Sequence, residues 1–382
     1  MHELDAITEE SLVRKGGRKW SSFPGSLGAF IAEMDFGVAP AVREALRELD
    51  ERDLYGYAPY QTVTDLKSAT AEFAVDRYGW RFPAEHVELA SDVLAGFIGV
   101  LGFLTPPDAP IVLPTPAYMP FFDVARVTGR RLIEVPMRRA EDSWSLDLDA
   151  VDAALSPGAV LVLCNPHNPI GKVYTPEEMS ALAEVIDRNG ARVFSDEIHA
   201  PLVYSPSRHI PYASLSEATA AHTVTATAAS KAFNIPGLKC AQLILTNEAD
   251  RRVWKERGGF VSGAAANPGI LATTAAYIAG GDWLDEITEY LRGSRDLLAD
   301  LLAEHLPRAT CIPPEGTYLA WVDLRAYGVG SDIAGQLTAD AKVAVTEGRL
   351  CGEVGQGHIR LNFALPRPLL AEAVKRIGSA LG

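Results

Sequence analysis

From about residue 86 onward, short β-branched runs alternate with amphipathic ones. "HVELAS" leads into an apolar helix through Phe103, then "APIVLP"; a helix from about Tyr118 leads to "RLIEVPM". "LDLDAVDAAL" reads as a helix before "AVLVLCN". "TPEEMSALAEVIDRNG" has a capping Thr175, Pro176 at the first helical position and Gly190 at its end, which are helix start and stop signals. It leads to "ARVFSDE", and "HTVTATAAS" and "CAQLILT" follow. Such alternation predicts an α/β domain with a mostly parallel sheet covered by helices on both faces. Sheets of this kind bind ligands at the carboxyl ends of their strands.

After about residue 282 the pattern changes. "DWLDEITEYLRGSRDLLADLLAEHL" is a long amphipathic helix, followed by the short strands "YLAWVDLR", "VAVTEG" and "HIRLNFAL" and a final helix from about Pro368. This predicts a smaller α+β domain over 282–382. The large domain is then 46–281, and residues 1–45 form a segment that packs on the small domain. At 382 residues the chain is too long for one ordinary core, which agrees with two domains.

Composition narrows the classes. The apolar share is 48% and the charged share 22%, both ordinary for a globular protein. A net charge of −14 argues against a nucleic-acid binder. The uncharged run "GAAANPGILATTAAYIAGG" carries Asn, Pro and several Gly, so it reads as a buried helix and loop rather than a membrane span. The N-terminal stretch is too charged for a signal peptide. Cys164, Cys240, Cys311 and Cys351 are far apart, which fits free thiols in a cytoplasmic protein. No H-E-x-x-H, Cys pair or G-x-S-x-G is present, so no metal site and no serine triad is expected.

The chemistry gathers at three strand ends: "LCNPHNPIGKVY", "SDEIHA" and "SKAFN". In a parallel sheet these ends share one edge, where Asn168, Asp196, His199 and Lys231 can converge. In "TVTATAASKAFNIPGLK" the side chains around Lys231 are small or apolar, and none is acidic. Such surroundings lower the proton affinity of an amine, as a nucleophilic lysine requires. Pyridoxal phosphate chemistry uses such a set: a lysine for the aldehyde, a carboxylate for the ring nitrogen and a helix N-terminus for the phosphate.

Six stretches carry a resemblance: "IAEMDF", "NPHNPIGKVY", "SDEIHA", "SKAFNIPGL", "PEGTYLAWVD" and "IRLNFALPR". In this order, from roughly Trp20 to Arg367, the chain resembles fold-type-I pyridoxal-phosphate enzymes of the aspartate aminotransferase superfamily. Within it, the chain is similar to the MalY/PatB group of cystathionine β-lyase-like C–S lyases. The resemblance implies pyridoxal 5'-phosphate as cofactor, a fold of a large sheet domain plus a smaller one, and cleavage of cystathionine or a related cysteine thioether. It implies Lys231 as the Schiff-base lysine, Asp196 as partner of the ring nitrogen and Asn168 as donor to the ring oxygen. His199 falls near that oxygen and Tyr118 at the ring-stacking position. The amides of Val93 and Leu94, with Ser230 and Lys239, fall at the phosphate, and Asp92 reads as an N-cap. Arg360 matches the arginine for the substrate carboxylate. Tyr57, in "LYGYAPY", matches a tyrosine that reaches the neighbouring subunit's phosphate, which implies a homodimer with shared sites. Three departures from the pattern occur: Ala228 replaces a frequent hydroxyl, Lys239 stands where relatives often have Arg, and "GAFIAEMDF" lacks the Trp that many of the group have just before this motif. An aminotransferase on the same residues is the alternative, and a non-catalytic cofactor-binding regulator a more distant one.

Overall fold

The computed structural model describes residues 2–382. Fourteen strands occur among them. They are β1 (Leu27–Gly28), β2 (Val87–Ala90), β3 (Ile111–Thr115), β4 (Leu132–Pro136), β5 (Arg138–Arg139), β6 (Trp144–Ser145) and β7 (Val160–Cys164). Then come β8 (Arg192–Asp196), β9 (Thr223–Thr227), β10 (Ala241–Leu245), β11 (Leu319–Asp323), β12 (Val343–Ala344), β13 (Thr346–Glu347) and β14 (His358–Asn362).

Seven of them form the main sheet in the order β2-β10-β9-β8-β7-β3-β4. The ladders β9–β8, β8–β7, β7–β3 and β3–β4 are parallel. β10 runs antiparallel to both of its neighbours. A parallel neighbour needs a crossover, usually a helix. Between β9 and β10 the chain has only the single turns Ala229–Ala232 and Pro236–Leu238, so the strand returns in the opposite sense. The central strands β3, β7 and β10 are buried at every position, as their near-continuous apolar sequence requires of a sheet covered on both faces. Helices supply that cover. Pro176–Asn189 shows the expected capping box at Thr175 and Glu178 and ends at Gly190 in the left-handed region, φ 58°.

The second layer is the antiparallel sheet β11-β14-β13. It packs against the helices Gly281–His305 and Arg367–Leu381, and Leu298, Leu319, Ile359 and Leu370 share one apolar core. Leu12, Trp20, Leu27, Met34 and Phe36 belong to that same core, and β1 pairs in parallel with β12. The division expected at 45/46 falls inside one helix, Pro40–Glu51. That helix packs on Asn267–Ala279 of the large domain, so the chain changes partners before Pro40. The "GAAANPGILATTAAYIAGG" run is the loop before that helix and the helix itself. No helix among the described residues is long and apolar enough to cross a membrane.

A seven-residue strap, Phe30–Phe36, runs between the two domains. The small-domain side chain Asn362 donates to Ile31 O and Glu33 O, both at 2.7 Å. From the large domain, Asn234 bonds the backbone of Met34 in both directions. Beneath it Lys19 and Asp35 form a buried ion pair at 2.9 Å, and Trp20 Nε1 donates to the second oxygen of Asp35.

Candidate active site

The carboxyl ends of β2, β3, β7, β8 and β9 face one cleft of about 200 Å³. Because β10 is reversed, it is the beginning of that strand, Lys239 and Cys240, that reaches the same edge. Lys231, Asp196, Asn168, His199, Tyr118, Val93, Leu94, Ser230 and Lys239 all line this cleft.

Lys231 sits in the single turn Ala229–Ala232 just beyond β9, not on the strand itself. Its Nζ donates to the carbonyl oxygen of Ala32 at 3.0 Å. Burial, and then the Arg360 guanidinium, lower its pKa to about 8, against the opposing pull of Glu33 and Asp196. Those carboxylates are remote in sequence, which is why the stretch around Lys231 shows none.

Asp196 ends β8 and is 4% exposed. It is followed by a turn rather than a helix, and its Oδ1 accepts from the Ile198 amide at 3.2 Å. Burial pushes its pKa up to about 7, against that hydrogen bond and Lys231. A carboxyl so placed gains from a cationic partner. His199, 1% exposed, also lies in the turn, and its Nδ1 has no partner. Burial, with Lys231 and Arg360 nearby, holds its pKa well below the ordinary value, so the ring is neutral. Tyr118 follows β3, before the helix Pro120–Thr128 that was expected to begin at it. Burial raises its hydroxyl pKa.

Asp92 caps the helix Val93–Leu104 by accepting from Ala95 N at 2.8 Å. Its other oxygen pairs with Lys239 Nζ at 3.1 Å. The carboxylate is thus occupied and partly neutralised, which leaves the amides of Val93 and Leu94 as first-turn donors for an anion. Ala228 lines the cleft with no hydroxyl to offer.

Arg360 lies on β14 and is buried. Its guanidinium donates to Asn168 Oδ1 at 3.1 Å, Phe30 O at 2.9 Å and Thr346 Oγ1 at 3.2 Å, while Nε has no partner. It therefore joins the small domain to the Asn168 wall. Two predicted residues fall outside the lining: Arg360, which reaches it through Asn168, and Tyr57. Tyr57 is 104% exposed and lies apart from this cleft, beside a surface hollow near Ala264 and Ala265.

Ala32 and Tyr318 were not singled out by residue, and Cys164 only as a free thiol, although each lies in or beside a stretch that carries the resemblance. The Tyr318 hydroxyl donates to Ala32 O at 3.0 Å. Only the motif, not any local chemistry, could have pointed to it.

Pyridoxal phosphate fits this donor set. An unpartnered His199 nitrogen, a buried carboxyl lacking a cation, an amine of lowered proton affinity and two free helix amides line one cleft of suitable size.

Comparisons with known proteins agree. A cystathionine beta-lyase from Corynebacterium glutamicum is 36% identical over 374 residues, covering 97% of this chain and 98% of that protein. The cystathionine beta-lyase PatB of Bacillus subtilis is 31% identical and covers 93% of this chain and 92% of its own length. The PLP-bound C–S lyase from Staphylococcus hominis superposes with a TM-score of 0.92 at 29% identity, covering 100% of this chain and 99% of that one. Residues 31–377 match the family described as aminotransferase class I and II, and the chain belongs to that family.

Proposed function

We propose that this protein is a pyridoxal-phosphate-dependent C–S β-lyase that cleaves cystathionine or a related cysteine thioether to thiol, pyruvate and ammonia. The observation that carries the reading is the meeting of Lys231 and Asp196 in one cleft, an amine and a carboxyl each shifted toward its neutral form by burial. The similarity to cystathionine β-lyases over nearly the whole chain selects the reaction.

When bound, the cofactor supplies an electron sink for the charge left at the substrate Cα. The protein's residues do the rest. Lys231 would hold the cofactor through its aldehyde, and its Nζ is the group placed to take the Cα proton. Asp196 would be the partner of the ring nitrogen and would favour its protonated form, and such a cation would in turn favour the ionised carboxylate. Asn168 and His199 would hold the ring oxygen, and Tyr118 would cover the ring face. The amides of Val93 and Leu94, with Ser230 and Lys239, take the phosphate. Arg360 binds the substrate carboxylate, a charge-assisted contact worth roughly 1.5–3 kcal/mol.

The protein acts as a homodimer in which Tyr57 of each subunit completes the other's site. The exposed ring and its distance from its own cleft support this. Four free cysteines, three of them buried, support a cytoplasmic setting.

Cystathionine supplied without a keto acid should yield pyruvate at a steady rate. A single turnover that stops with an aminated cofactor and restarts on adding a keto acid would make the protein an aminotransferase instead.

A further inference from the structure

The Lys231 amine is tethered within the cleft. It shares one acceptor, the carbonyl oxygen of Ala32, with the hydroxyl of Tyr318, each at 3.0 Å. Tyr318 is 0% exposed, and its ring centroid is 5.8 Å from that of His199. The carbonyl is itself immobilised by its neighbours in the strap. Phe30 O accepts from Arg360 and Thr346, Ile31 O from Asn362, and Glu33 O from Lys19 and Asn362.

We propose that Tyr318 is a positioning residue for the catalytic amine: through the shared Ala32 carbonyl, its hydroxyl aims Lys231 and holds down its proton affinity. This rests on the reading of Lys231 as the group that moves the Cα proton. A carbonyl oxygen has two lone pairs. With Tyr318 on one, the other accepts a single N–H of the lysine, and the nitrogen lone pair is left directed away from the strap.

Proton affinity follows from the same geometry. A carbonyl acceptor stabilises an ammonium more than an amine and so raises the pKa of a lysine. A phenol on the same oxygen draws on its electron density and weakens that preference. Arg360 from β14 also opposes the charged form, while Glu33 from the strap and Asp196 from β8 favour it. Around Tyr318 itself stand Glu33, Arg360 and Tyr118. In the reaction the neutral amine takes the Cα proton, the C–H electron pair stays with carbon, and the lysine becomes ammonium. The sulfur then departs with the C–S pair, and the ammonium returns its proton to the thiolate. The Ala32 carbonyl holds the nitrogen in place through both transfers.

Tyr318→Phe tests this. The ring keeps its packing, and Ala32 O keeps Lys231 as donor, so no buried acceptor is orphaned. The first readout uses cofactor-free protein. Lys231 is acetylated with acetic anhydride between about pH 6 and pH 10 and quantified by peptide mass spectrometry. The midpoint should lie near 8 in the parent and move upward by about 0.5 pH unit or more in the variant. The second is the isotope effect on kcat with Cα-deuterated cystathionine, which should increase as proton abstraction slows. An unchanged midpoint overturns the proposal, and so does an unchanged isotope effect. Failure of the proposed function is separable: borohydride would then fix the cofactor on some other lysine, while the acetylation midpoints would still report the Tyr318–Ala32–Lys231 geometry.

Discussion

At the scale of single residues, one physical cause acts on two groups in opposite senses. Burial draws the Lys231 amine down to about 8 and the Asp196 carboxyl up to about 7, so both approach neutrality when no cofactor is present. For Lys231 this predicts how the cofactor attaches. The neutral amine is the reactive form, so uptake of pyridoxal phosphate by cofactor-free protein should accelerate with pH and level off above about 8; a solvated lysine would still be gaining near its ordinary value of about 10.4. Stopped-flow absorbance across that range decides between them.

For Asp196 the prediction concerns stability. Its folded pKa lies above its unfolded value, so between about 4 and 7 the folded state binds more protons than the unfolded one. Asp196 therefore contributes a loss of stability as pH rises through that window, opposite in sign to buried histidines such as His167 and His199, whose lowered pKa makes them gain stability as pH rises. Asp196→Asn abolishes this loss. At pH 8 it should unfold in urea with a stability higher than the parent by roughly 1–4 kcal/mol, yet turn over slower by orders of magnitude with cofactor bound. A stability difference between Asp196→Asn and the parent that failed to grow from about pH 4 to pH 8 would contradict the assignment.

The convergence of Lys231 and Asp196 on one cleft was legible because both lie in motifs at strand ends. Two other features were not. The Asp92–Lys239 pair joins residues that are remote in sequence, and neither carries a local sign of the other. The acid near Lys231 comes from Glu33 in the strap, which no window around the lysine contains.

Among the elements, the strap is the most constrained. Lys19 Nζ has three acceptors, Asp35 Oδ2, Glu33 O and Ala364 O, so the buried ammonium is fully satisfied. Removing one partner of such a pair leaves an uncompensated charge, at a cost of about 3–5 kcal/mol. Asp35→Ala should therefore lower urea stability by that amount, with loss of the Trp20 fluorescence signal at lower denaturant. Replacing both partners, Lys19→Met with Asp35→Leu, should recover much of it. A double variant no more stable than Asp35→Ala would mean that the pair is not the source of the cost. Composition gave no hint of this pair, because Lys19 lies in "GGRKWSS", which reads as an exposed polar turn. The reversal of β10 was legible in principle: the two single turns between it and β9 leave no full crossover helix. Alternation of apolar runs shows that strands exist but not which way each one runs.

At the scale of the whole molecule, the sheet and its cover were readable because buried parallel strands and amphipathic helices leave strong periodicities. The boundary at 45/46 was not, since the helix Pro40–Glu51 has an amphipathic face that suits either domain. Its actual partner, Asn267–Ala279, is distant in sequence. The proposed sharing of sites makes a prediction at this scale. Lys231→Ala and Tyr57→Phe proteins, each nearly inactive, should regain part of the activity when unfolded together and refolded as mixed dimers, since one site of each hybrid then has both residues. Full activity of Tyr57→Phe alone would remove the shared-site argument.

The pairing of β1 with β12 also bears on how the chain is made. Leu27 and Gly28 find their ladder partners at Val343 and Ala344, and Lys19 reaches Ala364. On the ribosome residues 19, 27 and 28 must wait for residues 364, 343 and 344, which are made far later. Through that interval Leu12, Trp20, Leu27 and Met34 lack the core that finally encloses them, while the main sheet can already assemble from residues 87–245. Contacts so distant along the chain form slowly and leave apolar surface open to aggregation. Nascent chains arrested just after β10 should therefore hold a protease-resistant sheet preceded by a cleavable N-terminal arm, and recombinant yield should depend on chaperone supply more than the stability of the finished fold would suggest.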